Sequence, residues 1–358
     1  MKRTVLVFRV GQLGDTLIAL PAVAAIRDRH PGDRLVLLTE QCADQLQRVS
    51  AWEVLGATGL IDQVLYYQLI SSGWRQMMVA WKLLAQLRSL NPDVIYNLAP
   101  ERSPAQIRRD RLFFSRLVGA ASYYGGASLP KHGKGSGGVL PHIDPEWKRL
   151  LKIVGVAADS CFYRLTVPQD ATRCVTQHLM RCELQNSVRV LAIGPGSKMQ
   201  AKRWPVERFD EVGRRLLRED RGLHLVVLGG CEDAVLGDAL CRAWGERSHN
   251  FAGVFSVYES AALLERCCGY LGNDTGTMHL AAMVGTPCVG LFSARDYPGQ
   301  WEPYGQGHTV LRHETDCAGC MLEVCHERDN ECLQRISVDE VFGAVRQLLA
   351  DRVAVVKA

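Results

Sequence analysis

The strongest constraint on the fold is an alternation that runs through both halves of the chain, in which short apolar runs of strand length are each followed by a longer segment with helical spacing. In the first half, strand signals fall at Val5–Val10, Leu35–Leu38, Val64–Tyr66 and Val94–Tyr96, with helices at Gly14–Arg29, Asp44–Val49 and Arg75–Leu90. A break at Pro168-Gln169-Asp170 resets the pattern. There follow a helix at Ala171–Glu183, a strand at Val188–Ile193, a helix at Val206–Arg218, a strand at Leu223–Leu228, helices at Ala234–Trp244 and Tyr258–Cys267, and a strand at Cys288–Phe292. Strands that alternate with helices make parallel sheets covered on both faces. A chain of 358 residues exceeds one ordinary core. The expectation is therefore an α/β protein of two Rossmann-like domains, residues 1–168 and 169–336, whose parallel sheets face each other across a cleft. Residues 337–358, with a helix over Val338–Ala350, are expected to return and brace the first domain.

Composition narrows the partners. The chain is 47% apolar and 22% charged, in the range of globular proteins. Its first apolar run, Val5-Leu6-Val7-Phe8, is cut off by Arg9 and Gly11 well short of the core of an export signal. A cytoplasmic location is expected, one that permits work at the inner face of the membrane. A net charge of +4 allows an anionic ligand but, without a basic stripe interleaved with aromatics, gives no case for nucleic acid. Arg102, Arg108, Arg109, Arg111 and Arg116 share one expected helix with Phe113 and Phe114. That helix reads as a solvated face over a buried stripe, or as a contact for an acidic acceptor or a membrane surface. Between Gly125 and Gly138, glycine is too frequent for regular structure, and a loop is expected.

The chemistry sits where strands turn into helices. Gly272-Asn273-Asp274-Thr275-Gly276-Thr277-Met278-His279-Leu280 leaves an apolar run and enters a helix. The unpaired amides of a helix start, together with its dipole, favour an anion, and a glycine lets phosphate approach the main chain. Asn273 or Asp274 is equally suited to capping that helix. A second strand end opens into Gly194-Pro195-Gly196-Ser197 and then Lys202-Arg203-Trp204-Pro205, offering a hydroxyl and a point charge to phosphate. A third, Gly229-Gly230-Cys231-Glu232-Asp233, carries a carboxylate able to take hydrogen bonds from a ribose, and Glu232 is the candidate. The first strand turns through Gly11-Gln12-Leu13-Gly14-Asp15, which lacks the third glycine of a dinucleotide fingerprint and so argues against a dehydrogenase. Asp15 either caps the helix or takes a proton from an attacking hydroxyl.

Together these blocks resemble glycosyltransferase family 9, the bacterial ADP-heptose:lipopolysaccharide heptosyltransferases. The resemblance rests on Gly11 to Asp15 with Pro21, on Gly194 to Ser197 with Lys202 to Pro205, and on Asn273 to Gly276 with Met278 to Ala282. It implies a GT-B fold, with acceptor on the first domain and nucleotide sugar on the second, and an inverting transfer that needs no cofactor. By the same resemblance Asp15 and Lys202 are catalytic, as base and as support for the leaving diphosphate. Gly14, Ser197, Asp274, Thr275, Gly276 and His279 bind substrate. The implied partners are a nucleotide-diphosphate sugar, ADP-heptose first, and a glycan or glycolipid acceptor with peripheral membrane contact. A nucleotide-sugar epimerase of the same architecture, and a heptosyltransferase acting on a protein or small molecule, stand as alternatives.

Thirteen cysteines would suit a secreted protein, but nine lie singly in apolar runs, where reduced cysteine acts as a small hydrophobe. The other four, Cys317, Cys320, Cys325 and Cys332, form a C-x2-C-x4-C-x6-C array with His313 and His326 nearby. A structural zinc or iron, disulfides and free thiols all fit this spacing.

Overall fold

The computed structural model describes residues 2–41, 49–68, 74–100, 103–126, 139–184 and 189–357. Of the helix expected over Asp44–Val49 only Val49 falls within them, and Arg102, Val188 and residues 127–138 of the glycine-rich segment lie outside. The chain divides into two compact units: Met1–His132 with Glu146–Tyr163, and Gly133–Pro145 with Arg164–Ala358.

The first unit runs β1 (Thr4–Phe8), α1 (Leu13–Arg29), β2 (Arg34–Gln41), α2 (Ala51–Leu55), β3 (Gln63–Gln68), α3 (Trp74–Leu90), β4 (Val94–Asn97), α4 (Pro104–Leu112), β5 (Ser122–Gly125) and α5 (Glu146–Val154). Its sheet is parallel, in the order β3-β2-β1-β4-β5. β1 reads as an unbroken apolar run because neighbours and helices cover it on every side, and Val5, Leu6 and Val7 are fully buried. The same burial explains why α1 shows little amphipathic pattern: ten of its residues are buried, from Thr16 to Ile26. α4 opens on a Ser103–Gln106 capping box and continues as a π-helical turn, Phe113–Val118, that ends at Gly119. Phe114 joins the core, Phe113 is partly buried against it, and Leu112 and Leu117 point outward.

The second unit runs α6 (Gln169–Arg181), β6 (Arg189–Gly194), α7 (Val206–Glu219), β7 (Leu223–Val227), α8 (Ala234–Trp244), β8 (Ser248–Asn250), α9 (Val257–Arg266), β9 (Gly269–Asn273), α10 (Gly276–Met283), β10 (Cys288–Phe292), β11 (Thr309–Arg312), α11 (Glu331–Gln334) and α12 (Val338–Lys357). Its parallel sheet has the order β11-β10-β9-β6-β7-β8. Counted from β6, this is the doubly wound Rossmann order, whose direction of winding reverses between β6 and β9. α12, expected to return to the first domain, packs on α7, β9 and β10, where Val341, Val345 and Leu348 enter the core of this second unit beside Phe209 and Leu271.

Candidate functional site

The reversal point of the second sheet is where a doubly wound fold receives its ligand. β6 and β9 are neighbours there, so the loop after Gly194 and the loop after Asn273 leave the sheet side by side. Asn273, fully buried, ties them together. Its Nδ2 donates to the Pro195 carbonyl at 2.7 Å, and its Oδ1 accepts from the Trp204 backbone N–H at 3.1 Å. Trp204 is buried with its Nε1 donating to the Ile336 carbonyl at 3.1 Å, and its ring meets Phe209 edge-on at 4.9 Å. This anchor holds the Gln200–Lys202 turn just before it, so Lys202 is presented from a fixed backbone. Ser197 is buried in the same loop: its hydroxyl accepts from the Met199 N–H at 3.3 Å, and its carbonyl accepts from Arg203 Nε at 2.7 Å.

Lys202 Nζ donates to Asp274 Oδ2 at 2.5 Å and lies 3.2 Å from Asp296 Oδ2. Asp296 is a carboxylate four residues beyond β10, bracketed by Arg295, which reaches it at 2.7 Å and donates from its other nitrogens to the Leu322 and Met321 carbonyls. Burial would raise the Asp274 carboxyl, but Lys202 and then His279 outweigh it and hold the group at about 2. Burial would likewise lower the Lys202 ammonium, and the two carboxylates override it and raise it. Both charges are therefore locked on at neutral pH. One ammonium proton is engaged by Asp274 and the charge is shared with Asp296, so the group keeps donor capacity.

α10 starts immediately after this pair. Thr275 is its N-cap in extended conformation and its side chain caps nothing, so the amides of Gly276, Thr277 and Met278 have no intrahelical acceptor. Beneath them runs a hydroxyl chain: Tyr270 to Thr277 at 2.8 Å, and Thr277 to Thr275 at 2.9 Å. His279 sits one turn into α10, with Nε2 3.6 Å from Asp274 Oδ1, and its buried Nδ1 has no partner among the described residues. Ser197, Lys202, Asp274, Thr275, Gly276 and His279 thus gather at the ends of β6 and β9.

At the end of β7, Glu232 stands exposed on the Cys231–Asp233 turn. The more enclosed carboxylate is its neighbour Asp233, partly buried, which accepts from the Gly230 N–H at 3.1 Å and packs over Gly196 and Gly229. Burial, then the nearby Glu232, pushes the Asp233 carboxyl up. A side chain at Gly196 would collide with Asp233, so the glycine lets two strand ends close on each other. Asp296, Arg295 and Asp233 were not singled out from the sequence. The available signal was position, since each follows an expected strand by a few residues.

In the first unit the β1–α1 turn is built around Arg9, which is fully buried. Its guanidinium donates to the carbonyls of Leu98 and Asp15, so it ties the end of β4 to the start of α1. Burial lowers the Arg9 pKa, and Asp15 and Glu146 oppose that. The Asp15 side chain is 28% exposed. Its Oδ2 accepts from the Gln12 N–H at 2.9 Å, closing a capping box, while Oδ1 lies 4.0 Å from Arg9. Asp15 therefore caps α1 through one oxygen, and its other oxygen makes no hydrogen bond among the described residues. Gly14 is the second residue of α1. Gly11, at φ +124, is required because a Cβ there would meet the Asp15 side chain at 2.7–2.9 Å. Replacing Arg9 by Met removes both bonds; the Asp15 carbonyl keeps its place in the ladder of α1, while the buried Leu98 carbonyl loses a donor, at about 1–3 kcal/mol. A fall of about that size in unfolding free energy, read from denaturant midpoints, is expected, and an unchanged midpoint would show that Arg9 does not hold the turn.

Cys317, Cys320, Cys325 and Cys332 all border one small cavity that Ala201, Arg295 and Asn330 also line. Among the described residues, no group of three or more His, Cys, Asp or Glu is close enough to form a ready metal cluster.

Two Rossmann-like units, one with a lysine and helix amides that have no acceptor among the described residues at its reversal point and the other with a partly exposed carboxylate at its first helix, are the parts of a GT-B glycosyltransferase. The chain belongs to glycosyltransferase family 9 (heptosyltransferase), whose sequence profile matches residues 150–330. Lipooligosaccharide heptosyltransferase 2 of Haemophilus influenzae is 27% identical over 34% of this chain and 36% of its own length. Lipopolysaccharide heptosyltransferase 3 of Escherichia coli is 23% identical over 94% of this chain and 96% of that one. The solved family 9 glycosyltransferase of Veillonella parvula superposes with a TM-score of 0.72 at 19% identity, covering 98% and 97% of the two chains. The iron-containing glycosyltransferase TibC of enterotoxigenic E. coli superposes with a TM-score of 0.54 at 16% identity, covering 98% and 77%, and has also been solved in complex with ADP-D-beta-D-heptose.

Proposed function

We propose that this protein is an inverting heptosyltransferase that moves a heptose from ADP-heptose to a lipopolysaccharide-core or related glycan acceptor. The observation that carries the reading is Lys202, held rigidly beside the unpaired amides of α10 at the one point of the second sheet suited to a diphosphate. The heptosyltransferase relatives supply the sugar. In this reading Asp15 takes the proton of an acceptor hydroxyl as its oxygen attacks the anomeric carbon. The bond from that carbon to the diphosphate oxygen breaks in the same displacement, inverting the centre and releasing ADP. Lys202 and the Thr275 and Gly276 amides stabilise the charge that develops on the departing diphosphate. Gly14 lets the acceptor approach α1. Ser197 and His279 border the phosphates, and Glu232 or its neighbour Asp233 is placed for the ribose. A glycolipid acceptor would bring the enzyme to the inner face of the membrane. Family membership sets the epimerase alternative aside.

Incubation with ADP-heptose and core acceptor should release ADP only when both are present, and the product linkage should have the opposite anomeric configuration to the donor. Retention of configuration, or preference for a UDP- or GDP-sugar in a thermal-shift panel, would overturn the reading.

The cysteine array is assigned to a structural zinc or iron. Four thiols around one cavity are the donor set that such ions take, and a family neighbour contains iron. Holding a metal would require these thiols to draw together from their present positions, and the transfer step above runs without it. Protein purified under reducing conditions is expected to carry zinc or iron by elemental analysis, and Cys317→Ser with Cys320→Ser to lose it. Metal-free wild-type protein would remove the assignment.

A further inference from the structure

Among the described residues the first unit carries an exposed apolar stripe that its own core does not explain. On α3, Met77 and Trp81 are 65% and 67% exposed and Met78 is 47% exposed, although Leu84 and Leu87 of the same helix are buried. Met77, Trp81, Ala85 and Arg88 follow one another at helical spacing along a single face. Arg88 Nε donates to the Leu117 carbonyl at 2.7 Å, so this face continues onto the π-helical turn, where Leu117 is also exposed, as is Leu112 at the end of α4 just before it. Isolated exposed apolar residues are ordinary; five on α3 and the adjoining end of α4 with its π-helical turn are not.

The charge around the stripe is one-sided. The stretches 74–90 and 103–118 contain seven Lys and Arg residues and a single carboxylate, Asp110, which is buried. Lys82, Arg88, Arg108, Arg109, Arg111 and Arg116 are all exposed. The patch holds more positive charge than the whole chain's net +4, so the remainder of the molecule is slightly acidic. A tryptophan with methionines and leucines, ringed by cations on long stems, matches the interface of an anionic bilayer: the apolar side chains enter among the acyl chains and the cations meet the headgroups. No described helix is long and apolar enough to cross the membrane.

We propose that α3 and the Phe113–Val118 turn form a docking face for an anionic lipid bilayer, with Trp81 and Met77 as its inserted anchors. The proposal rests on the membrane contact inferred above and names the surface that makes it. Phe113 and Phe114 of the Arg-rich segment face the core, as a buried stripe under a solvated face would, and the exposed ring of this surface belongs to Trp81.

The test is flotation of the full chain with vesicles of phosphatidylcholine alone or phosphatidylcholine with phosphatidylglycerol. Binding to the anionic vesicles only, suppressed by high salt, is expected. Trp81→Ser combined with Met77→Ser should reduce partitioning by roughly tenfold or more, and Lys82→Glu and Arg116→Glu should each reduce it by about fivefold or more. These positions are exposed, so the variants should melt like wild type. Equal binding to neutral vesicles, no binding to either, or undiminished binding by the Trp81 variant would overturn the proposal. Flotation needs neither donor nor acceptor, and ADP binding by thermal shift needs no vesicle, so failure here and failure of the transfer reading give different results.

Discussion

Asp15→Asn is expected to lower kcat for transfer by roughly 10²–10⁴-fold, the usual contribution of a positioned base, and to leave ADP affinity unchanged. The proposed mechanism gives the side chain a second task beside its cap, and the two are separable. Its Oδ2 accepts the Gln12 N–H at 2.9 Å and completes the cap of α1, a task an amide oxygen performs as well. Its Oδ1 has no hydrogen-bond partner among the described residues, and that oxygen is the one available to receive a proton. Asparagine preserves shape and cap and removes only basicity. Asp15→Ala serves as the contrast, since it should also cost about 1 kcal/mol of stability through the lost cap. Steady-state rates at saturating donor and acceptor, with calorimetric ADP binding, check the pair. A near-normal kcat for Asp15→Asn would leave Asp15 as a cap alone and remove the base from the proposed mechanism.

How far the structure was legible in the sequence depends on the range of the interaction. Strand ends that turn directly into helices are local, and Gly194, Asn273 and Gly276 could be placed by reading along the chain. The partners of Lys202 are not local. Asp274 is 72 residues away and Asp296 further still, and they converge only because β6, β9 and β10 are neighbours in the sheet. That adjacency is topology, which no single stretch encodes. Glu232 and Asp233 differ by one position, and the Cys231–Asp233 turn leaves the first exposed and turns the second inward, partly buried over Gly196 and Gly229. Arg9 ended the apolar run of β1 and gave no sign of its burial, because arginine is rarely enclosed without partners and its partners are carbonyls contributed by Leu98 and Asp15. The strands β5, β8 and β11 escaped notice for a related reason: Ser248-His249-Asn250 has no apolar alternation and is a strand only because β7 offers an edge to pair with.

Lys202→Ala should weaken ADP binding by roughly 10–100-fold, the worth of one hydrogen bond to a charged group, and slow transfer by about 10²–10³-fold as the leaving diphosphate loses its fixed cation. The effect on the protein itself should be equally distinctive. In the wild type, Asp274 is held at about 2, below its ordinary 3.8, so its contribution to stability is complete above its unfolded pKa and is lost as pH falls through about 2. Lys202 is raised above its ordinary 10.5, so its contribution is present below that value and is lost only as pH rises through the higher folded pKa. Between those limits the pair makes stability flat with pH. Without the lysine, the burial that already acts against the Asp274 carboxylate is no longer outweighed by its nearest cation, and the group's pKa moves upward. If it passes its unfolded value, the folded state binds the extra proton and stability falls as pH rises. A melting temperature that is level with pH in the wild type, declines with pH in Lys202→Ala and recovers in Lys202→Ala with Asp274→Asn is the expected result. Recovery of stability without recovery of transfer would assign Lys202 both tasks. Unchanged ADP affinity in the single variant would exclude it from the phosphate site.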